Sequence, residues 1–309
     1  ARHPDHFIFL FHSFPRLLWP KGTEVDGQRN VEHPVWQDDN PYVHGVRHAI
    51  DAMARHLKSL GIGYDRWAFY PLDEPWNTGA TLIPELRRFC SLVKKVHPKA
   101  RNYTDPTGGV RWRYLEEFRD LVDIWQCGRN ALCADPELLQ WFRDNAKTFW
   151  YYEAPGLAKE LLPLGHYRTH GWLGWRFGTS GHGFWVYNRQ DLWWGRPHGG
   201  YNAVYANGSD VVTSRRWEAE RDGLEDWRAL YVLREEIEKA LASDNSARAQ
   251  AAQSLLDESV ESVTSFQVEH INQVNRFILD YELDFEMLTD FRSRIATAII
   301  GLREATAEE

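Results

Sequence analysis

Cysteine is scarce in this 309-residue chain: only Cys90, Cys127 and Cys133 occur, too few and too scattered for a disulfide framework or a four-ligand zinc site built on them. Nothing approaches the run of about 18 apolar residues that a membrane-spanning helix needs. Basic charge is also short, with a formal net charge of −8, which excludes an electrostatic nucleic-acid binder because phosphate contacts need a basic face. No Gly-x-Gly-x-x-Gly follows the first strand and no Gly-x-x-x-x-Gly-Lys-[Ser/Thr] appears, so the phosphate cradles of dinucleotide-binding and P-loop folds are missing. Methionine does not stand first; Ala1 does, which is expected of a processed chain or of a piece of a longer one.

Aromatic residues, by contrast, are abundant: 15 Trp, 13 Tyr and 15 Phe make up 14% of the chain. Most such rings pack cores, but indole also stacks on the C–H faces of sugars, so the surplus favours a carbohydrate ligand. Hydrophobic residues at 43% and charged residues at 26% describe a globular chain long enough for a large core.

Apolar strand-like runs alternate with amphipathic segments. Strands are expected at Phe7–Phe11, Trp67–Tyr70, Ala100–Asp105, Asp123–Cys127, Thr148–Glu153 and His182–Tyr187. Helices are expected at His44–Leu60, Ile83–Val96, Tyr114–Leu121, Pro136–Asn145, Tyr167–Phe177 and Ser214 to about Ile237. The alternation predicts an α/β chain with a parallel sheet, and polar and aromatic residues crowd the C-terminal strand ends, where barrel enzymes place their sites. Beyond Ala240 an Ala-, Gln- and Glu-rich tail predicts helices over 246–262 and 264–304. The expected division is a barrel domain over 1–237 and a helical extension over 238–309, which packs on the barrel or on a second copy of the chain.

Asp73 and Glu74 close the second strand, followed by Pro75, whose restriction on its predecessor is expected to keep the chain extended and turn it away. Adjacent carboxylates at a strand end in a Trp-rich chain suit glycoside cleavage, where one acid protonates the leaving oxygen and another steadies the cationic centre. His44 and His48 share an i, i+4 spacing but have no third ligand in sequence, and read as a solvated helix face. The alternating charges from Arg215 to Asp226 read as a salt-bridged helix face. Asn102-Tyr-Thr and Asn207-Gly-Ser fit the N-glycosylation pattern.

Tyr70-Pro-Leu-Asp-Glu-Pro75, Thr148-Phe-Trp-Tyr-Tyr152, Gly181-His-Gly-Phe-Trp185 and above all Arg216-Trp-Glu-Ala-Glu-Arg-Asp-Gly-Leu-Glu-Asp-Trp227 carry a resemblance. Over roughly residues 40–235 the chain resembles the catalytic domain of glycoside hydrolase family 123, the β-N-acetylgalactosaminidases, and the related domain of unknown function 4091. The resemblance implies a (β/α)8 barrel and cleavage of β-linked N-acetylhexosamines, N-acetylgalactosamine foremost, in which the sugar's own 2-acetamido oxygen attacks the anomeric carbon. It implies that Asp73 orients and polarises the acetamido group and that Glu74 is the acid/base. It places Tyr152 near the acetamido group and Trp125, Trp185 and Tyr187 on the sugar wall. Tyr103, Asp105 and Glu153, at other strand ends, complete the candidate substrate-binding set. Such chemistry needs no metal or organic cofactor, so none is expected; the partner is an oligosaccharide, and the resemblance favours a secreted or periplasmic setting.

Six strands are read where a closed barrel has eight. The first two then lie outside this chain, come from another segment, or belong to a degenerate barrel. Glu153 supports an alternative: a two-carboxylate retaining glycosidase with Glu74 as acid/base and Glu153 as nucleophile, although strand parity puts Glu153 on the face opposite Trp150 and Tyr152. The other alternative is a non-catalytic carbohydrate-binding protein on a decayed barrel.

Overall fold

Strand formation follows the apolar runs, and side-chain caps from Asn40, Asp135 and Ser214 mark helix starts. The computed structural model describes residues 7–10, 24–25, 28–29, 40–76, 82–106, 112–154, 161–188, 202–207, 210–243, 246–269 and 283–307. Phe11 and the Gly208-Ser209 portion of the second glycosylation pattern lie outside the described residues. Two compact units form, residues Ala1–Tyr152 and Glu153–Glu309.

The first unit opens with β1 (Ile8–Leu10) and two short antiparallel pieces, β2 (Glu24–Val25) and β3 (Gln28–Arg29). Helix α1 (Pro41–Ser59) starts where Asn40 accepts the Tyr42 N–H at 2.9 Å and Pro41 sets the first turn. Its stripe of Val43, Val46, Ile50, Ala54 and Leu57 is buried, whereas His44 and His48 are exposed on its other side. There follow β4 (Trp67–Phe69), α2 (Ile83–Val96), β5 (Tyr103–Thr104), α3 (Trp112–Phe118), β6 (Ile124–Gly128), the short α4 (Arg129–Ala134), α5 (Pro136–Asn145) and β7 (Thr148–Glu153).

The sheet is parallel and follows chain order. β1 pairs with β4 in the register Ile8↔Trp67, and Phe69 donates its N–H to Arg101 O at 2.8 Å, bridging β4 to the approach of β5. Within this unit the ladder runs β5-β6-β7, with Tyr103↔Ile124 and Ile124↔Thr148 in register. Parallel strands added in chain order, without reversal, have no topological switch point of the doubly wound kind.

Strand parity sorts the side chains. Trp67 and Phe69 pack with Val46, Ile50, Phe89 and Val93 of α1 and α2, while Ala68, Tyr70, Tyr103, Ile124, Phe7 and Trp150 cluster on the other face. That second face is aromatic, with Phe9 at 4.8 Å from Tyr103 and Tyr70 edge-on to Tyr103 at 4.5 Å between ring centroids. Asn102 is fully buried and donates Nδ2–H to Cys90 O at 3.1 Å and Leu121 O at 2.8 Å, so the first glycosylation pattern is a sheet anchor rather than a glycan acceptor.

In the second unit a π-helical turn (Pro163–Arg168) runs into α6 (Thr169–Phe177), β8 (Gly181–Phe184) and the hairpin β9 (Tyr205–Asn207) and β10 (Asp210–Val212). The long α7 (Arg215–Leu241), α8 (Ser246–Glu269) and α9 (Phe285–Ala307) follow. The helical tail is not a separate layer: Trp172 of α6, Leu230 and Leu233 of α7, Leu256 and Val263 of α8 and Phe291 and Ile295 of α9 share one core. The expected boundary at residue 237 therefore falls inside α7, and the units divide at 152/153. The expected helix over 264–304 is broken as well. Leu283 and Asp284 are non-helical, and the Asp284 side chain accepts the Glu286 N–H at 2.9 Å to start α9.

Candidate functional site

β4 ends in Tyr70-Pro71-Leu72-Asp73-Glu74-Pro75-Trp76, and the turn is pinned on both sides of its carboxylates. Leu72 and Trp76 are buried, the indole of Trp76 lying 5.9 Å from Phe118 and 6.5 Å from Trp125 between centroids. Asp73 is left exposed and Glu74 half-buried. Glu74 has φ +43°, the left-handed region, which costs a side-chain-bearing residue on the order of 1 kcal/mol or more and persists only where surroundings impose it. Here Pro75 disfavours the right-handed alternative, and the Glu74 N–H is held by Asp105 Oδ1 at 3.1 Å.

Asp105, at the end of β5, is the hub of this edge. Its Oδ2 meets the Tyr70 hydroxyl, which also contacts Asp73 Oδ1 at 2.7 Å. A phenol carries one hydrogen, so it cannot donate to two carboxylates at once. Burial pushes the Asp105 carboxyl well above the usual range, so Asp105 keeps its proton and donates to Tyr70, and Tyr70 donates to Asp73. The same burial, with Asp105 beside it, pushes the Tyr70 hydroxyl up and keeps it neutral. The result is a directed chain, Asp105 to Tyr70 to Asp73, ending on the solvent-open carboxylate.

This arrangement predicts a pH dependence of stability. Folded Asp105 binds a proton that the unfolded chain releases above about pH 4, so the native state binds more protons and stability falls as pH rises through that window toward the raised value. Asp105→Asn removes the ionisation. Urea unfolding from pH 4 to 8 should show the variant gaining stability relative to the parent as pH rises; a difference that shrinks over that range would refute the protonated assignment.

The neighbouring strand ends supply aromatic and amide groups. The Tyr103 hydroxyl donates to Gln126 Oε1, and Gln126 Nε2 donates to Tyr151 O at 3.1 Å. Tyr152 is half-buried and paired in register with Gly128, on the same strand face as Trp150. The structure thus brings Asp73, Glu74, Asp105 and Tyr103 to one edge, with Tyr152 on the corresponding end of β7. Trp125 is the exception. It is fully buried on the helix-facing side, 5.7 Å from both Trp141 and Phe142 of α5, so it is a core residue and cannot line a sugar wall.

Three candidate residues belong to the second unit. Trp185 and Tyr187 are exposed by 44% and 46%; Tyr187 stands edge-on to Trp217 at 4.9 Å and lines a cavity with His182, Phe184, Glu220 and Trp227. Glu153 is buried, its Oε1 lying 3.4 Å from His166 Nδ1 and its Oε2 3.6 Å from His170 Nε2.

Glu220 and Asp226, expected on a salt-bridged helix face, are buried by the close packing of α7 on the π-turn and α6. Glu220 contacts His170 Nδ1 and His182 Nε2 at 2.5 Å each; burial alone would raise its carboxyl, but the two histidines hold it down at about 2. Asp226 accepts from Arg168 Nε at 2.9 Å and Trp172 Nε1 at 3.2 Å. Sequence reasoning missed His166, His170, His182 and Tyr70. The first two share an i, i+4 spacing that is visible in sequence, but their partners Glu153 and Glu220 are not local to them.

No family model matches the chain, and no curated protein matches it.

Proposed function

We propose that the protein is a glycoside hydrolase acting on β-linked N-acetylhexosamines, N-acetylgalactosamine foremost, by retention through the substrate's own acetamido group. The chain-ordered parallel strands β1, β4, β5, β6 and β7 are read as part of a (β/α)8 wall with the site at its C-terminal edge. One observation carries the reading: two adjacent carboxylates stand at that edge, the exposed one oriented by Tyr70 and the half-buried one set by a left-handed backbone tied to Asp105. The motif resemblance to glycoside hydrolase family 123 supports the same assignment.

In the first step the acetamido carbonyl oxygen bonds to the anomeric carbon while the glycosidic C–O bond breaks, and Glu74 gives its proton to the departing oxygen. Asp73 accepts the acetamido N–H and stabilises the positive charge that develops on the group, the Tyr70 hydroxyl keeping it in place. Water then adds at the anomeric carbon, surrendering a proton to the Glu74 carboxylate and reopening the cyclic intermediate. Tyr152 supplies a phenol beside the acetamido pocket.

The two-carboxylate alternative requires Glu153 to reach an anomeric carbon, and its burial between His166 and His170 disfavours that role. Hydrolysis of matched 4-nitrophenyl β-glycosides tests the reading. Turnover of the 2-acetamido galactoside, with the 2-hydroxy galactoside slower by at least about a hundredfold, is expected when an internal nucleophile is lost. Equal rates would transfer the assignment to the two-carboxylate mechanism, and binding without turnover would support a carbohydrate-binding module.

A further inference from the structure

The geometry points to a divalent metal site in the second unit, formed by Glu153, His166 and His170, and we propose that it binds zinc. All three ligands are at least nine-tenths buried and come from two adjacent pieces of chain, the end of β7 and the π-turn running into α6. π-helical turns recur at functional sites, and here the turn places His166 and His170 with their rings 4.7 Å apart, on the side of Glu153.

The separations distinguish a metal site from a hydrogen-bonded one. Two donors each about 2.1 Å from one ion at the tetrahedral angle lie about 3.4 Å apart. Glu153 Oε1 to His166 Nδ1 is 3.4 Å and Glu153 Oε2 to His170 Nε2 is 3.6 Å, longer than a charge-assisted hydrogen bond and matched to an ion between them. Each of the three residues offers one ligand atom, the number of protein ligands that a zinc site with an open fourth position holds. By contrast, the 2.5 Å contacts of Glu220 with His170 Nδ1 and His182 Nε2 are hydrogen-bond lengths, too short for two ligands of a common ion.

Glu220 therefore stands behind the site. It accepts the His170 Nδ1 hydrogen, which leaves the Nε2 lone pair directed at Glu153. A carboxylate gripping the far nitrogen of a metal-binding histidine is a recurrent way to fix the ring and raise its basicity. His182 in turn fixes Glu220. Imidazole and carboxylate donors without thiolate suit zinc among the common first-row ions. The ion would tie the end of β7 to α6 and, through Glu220, to α7. The inference does not depend on the glycosidase reading, because its readout is metal content rather than turnover.

The full chain, stripped with a chelator, returned to metal-free buffer and titrated with Zn²⁺ by calorimetry, should take up one equivalent, and its melting temperature should rise by several degrees. Glu153→Gln and His166→Ala should each abolish uptake. Glu220→Gln should weaken it by about 10–100-fold with the stoichiometry unchanged, and the His44→Ala/His48→Ala pair should have no effect. Should the buried variants fail to fold, Co²⁺ loading of the unmodified chain decides: the intense visible absorption of four-coordinate cobalt is expected. No zinc uptake by the folded chain, a weak six-coordinate cobalt spectrum, or undiminished zinc in folded Glu153→Gln and His166→Ala would overturn the proposal.

Discussion

Asp73→Asn should lower kcat on 2-acetamido glycosides by about 10²–10³-fold while leaving the fold intact, the scale seen when one preorganised electrostatic contact to a developing charge is removed. The side chain is exposed, and its hydrogen bond from Tyr70 survives in the amide oxygen, so the melting temperature should stay close to that of the parent. What disappears is the negative charge facing the acetamido group as it becomes cationic. Glu74→Gln should show a different signature. Without its proton, poor leaving groups should slow by about 10²–10⁴-fold, while activated aryl glycosides, which depart unprotonated, should be nearly spared. Glu153→Gln, measured below its melting temperature, should leave kcat close to that of the parent. A loss of several orders of magnitude there, with Asp73→Asn silent, would instead make Glu153 the nucleophile.

Gly223→Ala should cost about 3 kcal/mol or more. A Cβ at Gly223 would fall 2.4 Å from Arg168 O, and one at Gly171 would fall 2.2 Å from Gly223 O. The obstructing atoms are backbone, so α7 and α6 must separate rather than repack. Separation would also loosen the buried pair of Arg168 with Asp226 and the Trp172 indole hydrogen bond to the same carboxylate. At about 2–4 °C per kcal/mol for a unit of this size, the melting temperature should fall by roughly 10 °C. Gly301→Ala is the control: a Cβ there meets nothing within 4 Å, and alanine should be neutral or stabilising by up to about 1 kcal/mol in a helix. Equal melting temperatures for the two variants would refute the close approach of the helices.

The contrast shows what pattern reading can reach. Thr148–Glu153, Ile83–Val96 and Pro136–Asn145 coincide with their elements because hydrophobic period, Pro at the first turn and the Asp135 cap are all local signals. The placement of Asp73 and Glu74 at a strand's C-terminal end was legible for the same reason. Trp125 was misplaced because an indole at a strand end has two faces available, and only the register with Phe149 and the packing of α5 put it toward the helices. The raised Asp105 carboxyl depends on burial that no local pattern encodes, and its partner Tyr70 lies 35 residues earlier. Glu220 reads in sequence as one member of a salt-bridged face; the glycine pair at 171 and 223 draws its helix against α6 and encloses it. Among the described residues Leu283 and Asp284 interrupt the helical tail without Gly or Pro, and the Asp284 side chain caps the helix that follows.

The central claim is that the acetamido oxygen is the nucleophile, and progressive fluorination of the N-acetyl methyl group tests it most directly. Replacing CH₃ by CH₂F, CHF₂ and CF₃ withdraws electron density from the carbonyl oxygen while leaving the leaving group and the Asp73–Glu74 edge untouched. With an aryl β-N-acetylgalactosaminide series, log(kcat/KM) should fall steeply and in order with each fluorine. A flat dependence, or no turnover across the series, would contradict neighbouring-group participation and the assignment built on Asp73 and Glu74.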